Sequence, residues 1–432
     1  MGTMLRDPKA RAFVLLSRIM DEGRTLEEAL SADPVLATFD ERDRAYTRLL
    51  VLTALRRLGQ LDAAIDAYLR RPIAARKLMV RHVLRLGMAQ ILFLGTPSYA
   101  AVDTSVKLSR RIGQGEMAGL VNAILRRASR DRESLLEDPG AARRNTPDWL
   151  WKAWTSTYGE ETARAIADAH LKEPPLDLTV REDPAGWAVR LDGEHVMLDT
   201  VRCPNRGPVS ELPGFREGGW WVQDLAAALP AHLMGEVGGK RVIDLCAAPG
   251  GKTMQLAAAG AHVTAVDISS RRLDLLKDNL SRVGLGAELV LSDAAEYRPP
   301  QPADMVLLDA PCSATGTIRR NPDVARLKRP EDITRMSGIQ ERLLAAAAGL
   351  LAPGGILVYA VCSLEPMECG ERIRALLAHA PGLERAPIGQ DEIPGLRQAI
   401  TPEGELRTLP CHLSEAGGMD GFYACRLRSG DG

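Results

Sequence analysis

Residues 240–260 read KRVIDLCAAPGGKTMQLAAAG. A short run of branched apolar residues ends at an acid, passes through a turn of small residues and glycines, and continues as an Ala-rich helical pattern. The unit then repeats. HVTAVDIS (262–269) leads to RRLDLLKDNLSRVG (271–284), and ELVLSDA (288–294), ADMVLLDAPC (303–312) and GGILVYAVCS (354–363) follow with their connections. Four or five apolar strands alternating with helices predict a largely parallel, doubly wound sheet. Leu343–Leu364 carries no charge and is long enough to span a bilayer, but LAPGG interrupts it, so the reading is helix, turn and strand.

Upstream the pattern differs. ARAFVLLSRIM (10–20), RDRAYTRLLVLTALRRLGQLDAAIDAYL (42–69), ARKLMVRHVLRLGMAQILFL (75–94) and AGLVNAILRRAS (118–129) place apolar residues at i, i+3, i+4 and i+7, which predicts an all-α bundle. EDPGAARRNTP (137–147) reads as a boundary. All six tryptophans lie between Trp149 and Trp221. There PDWLWKAW predicts a helix, PLDLTVRED and WAVRLDG predict strands, and RGPVSELPGFREGGWW a Gly/Pro-rich loop. The organisation expected is an all-α bundle over 1–135, a small α+β connector over 146–230 and an α/β Rossmann-like domain over 231–432.

The chain of 432 residues has a net charge of −1, but residues 1–133 hold 23 Lys and Arg against 15 Asp and Glu. A basic first third on an acidic remainder points to an appended polyanion-binding module; a merely solvated Arg-rich surface is the alternative. Seven cysteines without CxxC spacing fit a reducing compartment. No signal peptide is visible in MGTMLRDPKARAF, and the chain is expected in the cytoplasm.

In a doubly wound sheet, ligands bind at the carboxyl ends of the strands. Asp244, Asp267, Asp293 and Asp309 fall there, with Asp267 following Asp244 at the spacing of a ribose-binding carboxylate. A P-loop would need glycine at position 246, where Cys246 stands, and G-x-G-x-x-G is absent. S-adenosylmethionine, which lacks a pyrophosphate, suits a loop of small residues at a helix N-terminus. Cys312 in DAPCSATG and Cys362 in VYAVCSLE end two consecutive core strands. A metal pair, a redox pair and a catalytic pair all remain open, although no histidine neighbours either motif.

DLCAAPGGKT, VDISSRRLDLLKDNLSRVG, SDA, DAPCSATGTIRRNPD, CSLEPMECG and MDGFYACRL together resemble the successive motifs of the Sun family of RNA cytosine-5 methyltransferases. VLRLGMAQILFL, AAVDTSVKL and GLVNAILRR resemble the antitermination-factor-like RNA-binding domain that precedes this catalytic domain in bacterial 16S ribosomal RNA methyltransferases. The resemblance implies S-adenosylmethionine as cofactor. Its methionine part would be held by Cys246, Ala247, Ala248, Pro249, Gly250, Gly251 and Lys252. Asp267 would hold the ribose with Arg272 beside it, Asp293 the adenine amino group, and Asp309 would lie near the sulfonium and the base. Gln223 and Asp224 would complete the cleft. Cys362 would be the nucleophile, Cys312 the group that releases product and Asp309 the acid near N3; no metal is implied. Arg319, Arg320, Arg326, Lys328 and Arg329 would meet RNA phosphates, with a charged surface loop as the alternative. The implied partner is RNA, either 16S ribosomal RNA or a 30S precursor, bound by a monomer without membrane or DNA. A tRNA methyltransferase and a non-catalytic RNA-binding assembly factor are the rival readings. Two positions depart from the family pattern: Val361 replaces a common Thr, and Glu368-Cys369-Gly370 replaces Glu-Asn-Glu.

Overall fold

The computed structural model describes residues 7–74, 77–204 and 207–430. The chain forms two compact units, one of residues 1–172 with 320–328 and the other of 173–319 with 329–432.

The first unit is helical. Its hub is the helix Met79–Leu92, in which 12 of 14 residues are buried. Helices Pro8–Glu22, Glu41–Arg56, Ser98–Arg111 and Ala118–Arg130 pack around it. Gly87 permits this closeness, since a Cβ there would sit 2.6 Å from Leu125 Cδ1 and 2.8 Å from Ser105 Oγ. Arg85 is buried on the hub, and its fork donates to both oxygens of Asp62 at 2.8 and 2.7 Å. The helix Asp148–His170, broken at Gly159 where φ is 81°, also belongs to this unit.

The division between the two units falls inside the tryptophan-rich stretch. Its helix joins the first unit, and its strands join the second. Those strands, β1 (Leu176–Val180), β2 (Glu194–Met197), β3 (Thr200–Cys203) and β4 (Trp220–Val222), form an antiparallel sheet in the order β2-β3-β1-β4. WAVRLDG, predicted as a strand, is instead mostly the end of a helix, Pro184–Arg190. Asp183 accepts from Gly186 N and Pro184 starts the helix, so a local cap overrides the β-leaning tryptophan and valine.

The main sheet has the order β10-β12-β9-β8-β5-β6-β7. Its strands are β5 (Arg241–Leu245), β6 (His262–Asp267), β7 (Glu288–Leu291), β8 (Ala303–Asp309), β9 (Leu351–Val361), β10 (Leu383–Arg385) and β12 (Phe422–Ser429), with β11 (Leu406–Thr408) pairing on β12. β9-β8-β5-β6-β7 run parallel. Their near-continuous apolar runs reflect helices on both faces. Strand order reverses between β5 and β8, which opens a crevice at their carboxyl ends. β10, β11 and β12 add antiparallel strands that the alternation did not announce. Leu343–Leu364 is the end of a helix, a turn and β9. Among the described residues no helix is long and apolar enough to cross a membrane.

Candidate active site

The loop after β5 is held open by its own backbone. Cys246 adopts φ 61°, and Gly250, at φ 106°, begins the helix Gly251–Ala258. A Cβ on Gly250 would lie 2.0 Å from Leu276 Cδ1, so neither conformation nor space admits a side chain. Asn279 Nδ2 donates to Pro249 O at 3.1 Å, and Arg272 donates to Ala248 O. Burial pushes the Cys246 thiol up to about 12, which leaves it inert and makes its contribution one of size and backbone. Gln223 lies beneath the loop, 3.1 Å from where a Gly251 Cβ would stand, and is tied to Trp221, Thr179 and Gln255. Asp224 caps the helix Leu225–His232 and accepts from Arg319 at 2.8 Å.

The four acids divide. Asp244 is buried one residue inside the end of β5, with Thr253 Oγ1 donating to it at 2.5 Å. Asp267 ends β6; it accepts from Ala248 N at 3.1 Å and Ser269 N at 3.0 Å, and Arg272 lies 3.3 Å away. Ile268 beside it is 70% exposed, an aliphatic face that core packing does not explain. Asp293 accepts from Ala295 N at 2.9 Å and pairs with Arg342 at 3.2 Å. Asp309 ends β8 and takes the Lys252 ammonium at 2.7 Å, while Lys252 Nζ also lies 5.0 Å from the Phe422 ring centroid. A phosphate-binding lysine would reach into the loop; this one is turned to a carboxylate. Small loop residues, a carboxylate with an exposed aliphatic neighbour and a lysine already paired fit S-adenosylmethionine better than a nucleotide phosphate.

Beyond β8 and β9, which pair Asp309 with Ala360, the two cysteine sulfurs lie 3.4 Å apart. The Cys362 sulfur as hydrogen-bond partner, and then burial, hold the Cys312 thiol well above its usual range. Ser313 and Ser363, each following a cysteine, both donate to Glu368, whose side chain is buried. Among the described residues no group of three or more His, Cys, Asp or Glu is placed to hold a metal.

The cations after the active-site loop need a correction. Arg319 is 1% exposed and bonds Asp224 and Gly417 O, so it is a structural pillar. Arg326 is partly buried, donates to Asn145 O at 2.7 Å and has its pKa pulled down to about 10 by burial. Asp323 accepts from Leu26 N at 2.9 Å in the same unit. Of the five expected phosphate contacts only Arg329 is fully at the surface. Conversely, the pairing of Lys252 with Asp309, the exposure of Ile268 and the role of Glu368 were not read from the sequence. GGKT drew attention to its lysine as a phosphate ligand to be rejected, and the resemblance placed Lys252 in the loop around the cofactor, but neither pointed to Asp309 as its partner.

Residues 231–428 match the family described as 16S rRNA methyltransferase RsmB/F, and residues 6–130 match the NusB family. The chain is 36% identical to ribosomal RNA small subunit methyltransferase B of Pseudomonas putida over 441 residues, covering 98% of both chains. It is 35% identical to the protein of that name from Salmonella paratyphi C, covering 90% of this chain and 94% of that one. The crystal structure of PH0851 shares the fold, with a TM-score of 0.74 at 24% identity over 97% of this chain and 98% of that chain. With relatives this similar along almost its full length, the chain belongs to the 16S rRNA methyltransferase RsmB/F family.

Proposed function

We propose that this S-adenosylmethionine-dependent RNA methyltransferase methylates carbon 5 of a cytosine in 16S ribosomal RNA through a covalent bond between Cys362 and carbon 6 of the ring. The observation that carries the reading is the pair of thiols 3.4 Å apart at the ends of adjacent parallel strands, beside the Lys252–Asp309 pair. Carbon 5 of cytosine is a weak nucleophile. The Cys362 thiol gives up its proton to water and its sulfur bonds to carbon 6; the carbon 5–carbon 6 double-bond electrons move to the carbon 4–carbon 5 bond, the carbon 4–N3 pair moves onto N3, and carbon 5 becomes enamine-like. The Lys252–Asp309 pair, 2.7 Å apart at the end of β8, is the proton source that would meet the charge developing at N3. The cofactor supplies the electrophilic methyl. Cys312, having lost its own proton to water, then takes the carbon 5 proton as thiolate, the carbon–hydrogen pair re-forms the carbon 5–carbon 6 double bond, and the Cys362 sulfur leaves carbon 6 with its bonding pair. The leading cause of the raised Cys312 pKa is its bond to Cys362. Once that sulfur is bonded to carbon 6 this cause disappears and Cys312 gives up its own proton more readily, while burial and Glu368 still hold its pKa up. Gly250 and its neighbours shape the loop for the methionine part of the cofactor, with Asp267 and Ile268 for its ribose and adenine and Asp293 toward the adenine amino group. The target base must be reached in a loop or flipped from its stack.

Labelled methyl should pass from cofactor to 16S ribosomal RNA of undermodified 30S subunits, and bisulfite sequencing should find one cytosine protected. Cys362→Ser should neither methylate nor crosslink, whereas Cys312→Ser should accumulate a protein–RNA complex that survives denaturing electrophoresis. Labelling of tRNA alone sinks the substrate, and a complex trapped by Cys362→Ser but not by Cys312→Ser reverses the thiol roles.

A further inference from the structure

Each active-site cysteine is followed by a serine, and the reaction above uses neither hydroxyl. Ser313 and Ser363 are both fully buried, and their hydroxyls lie 3.1 Å apart. Both donate to Oε2 of Glu368, Ser363 at 2.5 Å, while the Ser313 amide donates to Oε1 at 2.8 Å. Gln340 Nε2, on the helix Pro330–Ala348, donates to Oε1 at 3.0 Å and also to Pro311 O at 3.0 Å. The Glu368 backbone is fastened as well, its carbonyl accepting from Tyr359 OH at 2.7 Å. The donors to the carboxylate are an amide, two hydroxyls and a carboxamide, none of them charged. Glu368 is 0% exposed.

A buried carboxylate held by neutral donors is expensive to desolvate. In return, hydrogen bonds to an ionised acceptor are shorter and roughly twice as strong as neutral ones. Here three of the four come from Ser313 and Ser363, which directly follow the two reacting sulfurs, and the fourth comes from Gln340, which also holds Pro311 O. One carboxylate thus joins two loops that are separated by 50 residues in the chain. Both cysteines lie beyond the ends of β8 and β9, and other ties between their loops, Gly316 N to Cys362 O at 3.0 Å and Leu364 N to Thr315 Oγ1 at 3.0 Å, act on the Cys362 side and not on the Ser313 amide next to Cys312.

We propose that Glu368 is a positioning residue that clamps the two Cys-Ser loops together, so that nucleophile and releasing thiol keep their separation through the reaction. The inference rests on the covalent reading above. A second effect follows from its charge. Glu368 is among the causes that raise the Cys312 pKa, so it helps keep Cys312 a thiol until the adduct forms. Position and charge separate experimentally. In Glu368→Gln one of the two accepting oxygens becomes a donor facing donors, and the charge is lost. In Glu368→Asp the charge stays, but the side chain is one methylene too short to reach both serines.

The experiment measures single-turnover methylation, decay of the protein–RNA adduct against pH, KM for 16S ribosomal RNA, cofactor affinity and thermal stability. Glu368→Gln should slow turnover by about 10- to 100-fold, the scale of a misplaced reacting group. KM and cofactor affinity should stay within about twofold, the range in which a positioning loss leaves binding intact. Its adduct decay should shift to lower pH. Glu368→Asp should lose rate comparably and keep the wild-type pH profile. A folded Glu368→Gln enzyme with wild-type rate and pH profile overturns the proposal, as does a loss confined to melting temperature and cofactor affinity. If Glu368→Gln does not fold, the Ser313→Ala/Ser363→Ala double variant decides. A kcat loss at unchanged KM supports the clamp, and wild-type kcat refutes it. If Cys312→Ser traps no adduct on the wild-type background, the covalent reading fails instead.

Discussion

The Asp244 carboxylate is 1% exposed, its Oδ1 has no hydrogen-bond partner, and burial raises its pKa from 3.8 to about 7. Between those values the folded chain binds a proton that the unfolded chain has released. Stability therefore falls as pH climbs from about 4 to about 7 and is insensitive to this group outside that window. Asn keeps the acceptor for Thr253 and cannot ionise. Asp244→Asn should melt at nearly the wild-type temperature at pH 4.5 and several degrees higher at pH 8, each kcal/mol being worth about 2–4 °C in a domain of this size. A difference that does not grow with pH would show that Asp244 ionises normally. At this scale the sequence displayed the right residue types but not their partners. Four acids near strand ends looked alike, yet one is sealed in the sheet, one is tied to loop amides with Arg272 beside it, and two are paired with cations from distant parts of the chain. Lys252 meets Asp309 across 57 residues, and no local pattern records such a pairing.

Short elements obeyed their local signals where those signals were strong. The turn at Gly250 is the clearest case, because φ 106° and the Leu276 side chain together exclude every residue but glycine. Gly250→Ala should weaken S-adenosylmethionine binding about tenfold or more, since a strained φ costs about 1–3 kcal/mol and tenfold is about 1.4 kcal/mol. Adding Leu276→Ala should recover the steric part but not the backbone part, as read by titration calorimetry. Complete recovery would mean that the left-handed conformation is unimportant. The five parallel strands were legible because burial on both faces demands uninterrupted apolar runs. WAVRLDG misled because tryptophan and valine favour strands on average, while the Asp183-Pro184 start favours a helix here. β10 and β11 are three residues each, too short for period-two alternation to register, and they exist by pairing with β12.

Across the molecule the basic excess of the first third is not evenly spent. Arg81 pairs with Asp62 and Asp66, and Lys77 with Glu116. Arg76, counted in the same cluster, lies outside the described residues. The helix Ala118–Arg130 instead presents Arg126, Arg127 and Arg130 between two grooves of about 870 and 500 Å³ that share Arg130. Arg70, Arg71 and Tyr68 line the larger groove, and Tyr99, 81% exposed, lines the smaller. Replacing Arg126, Arg127 and Arg130 by Ala should weaken binding to 16S ribosomal RNA and leave cofactor affinity unchanged. The slope of log affinity against log salt should become shallower by about 0.7–0.9 for each phosphate that is no longer neutralised. An unchanged slope would place the RNA elsewhere. The sequence alone determined the order of the helical and α/β parts, the crevice at the strand ends and the placement of a cysteine after each of two consecutive core strands, because periodicity, turn residues and motifs are local. Only the tertiary structure decided that residues 320–328 belong to the helical unit, that Arg319 and Arg326 are structural, and that Glu368 joins both cysteine loops. Each of these depends on which distant groups share a buried space, where an unpaired charge or polar atom is costly. Residue order along the chain does not state that.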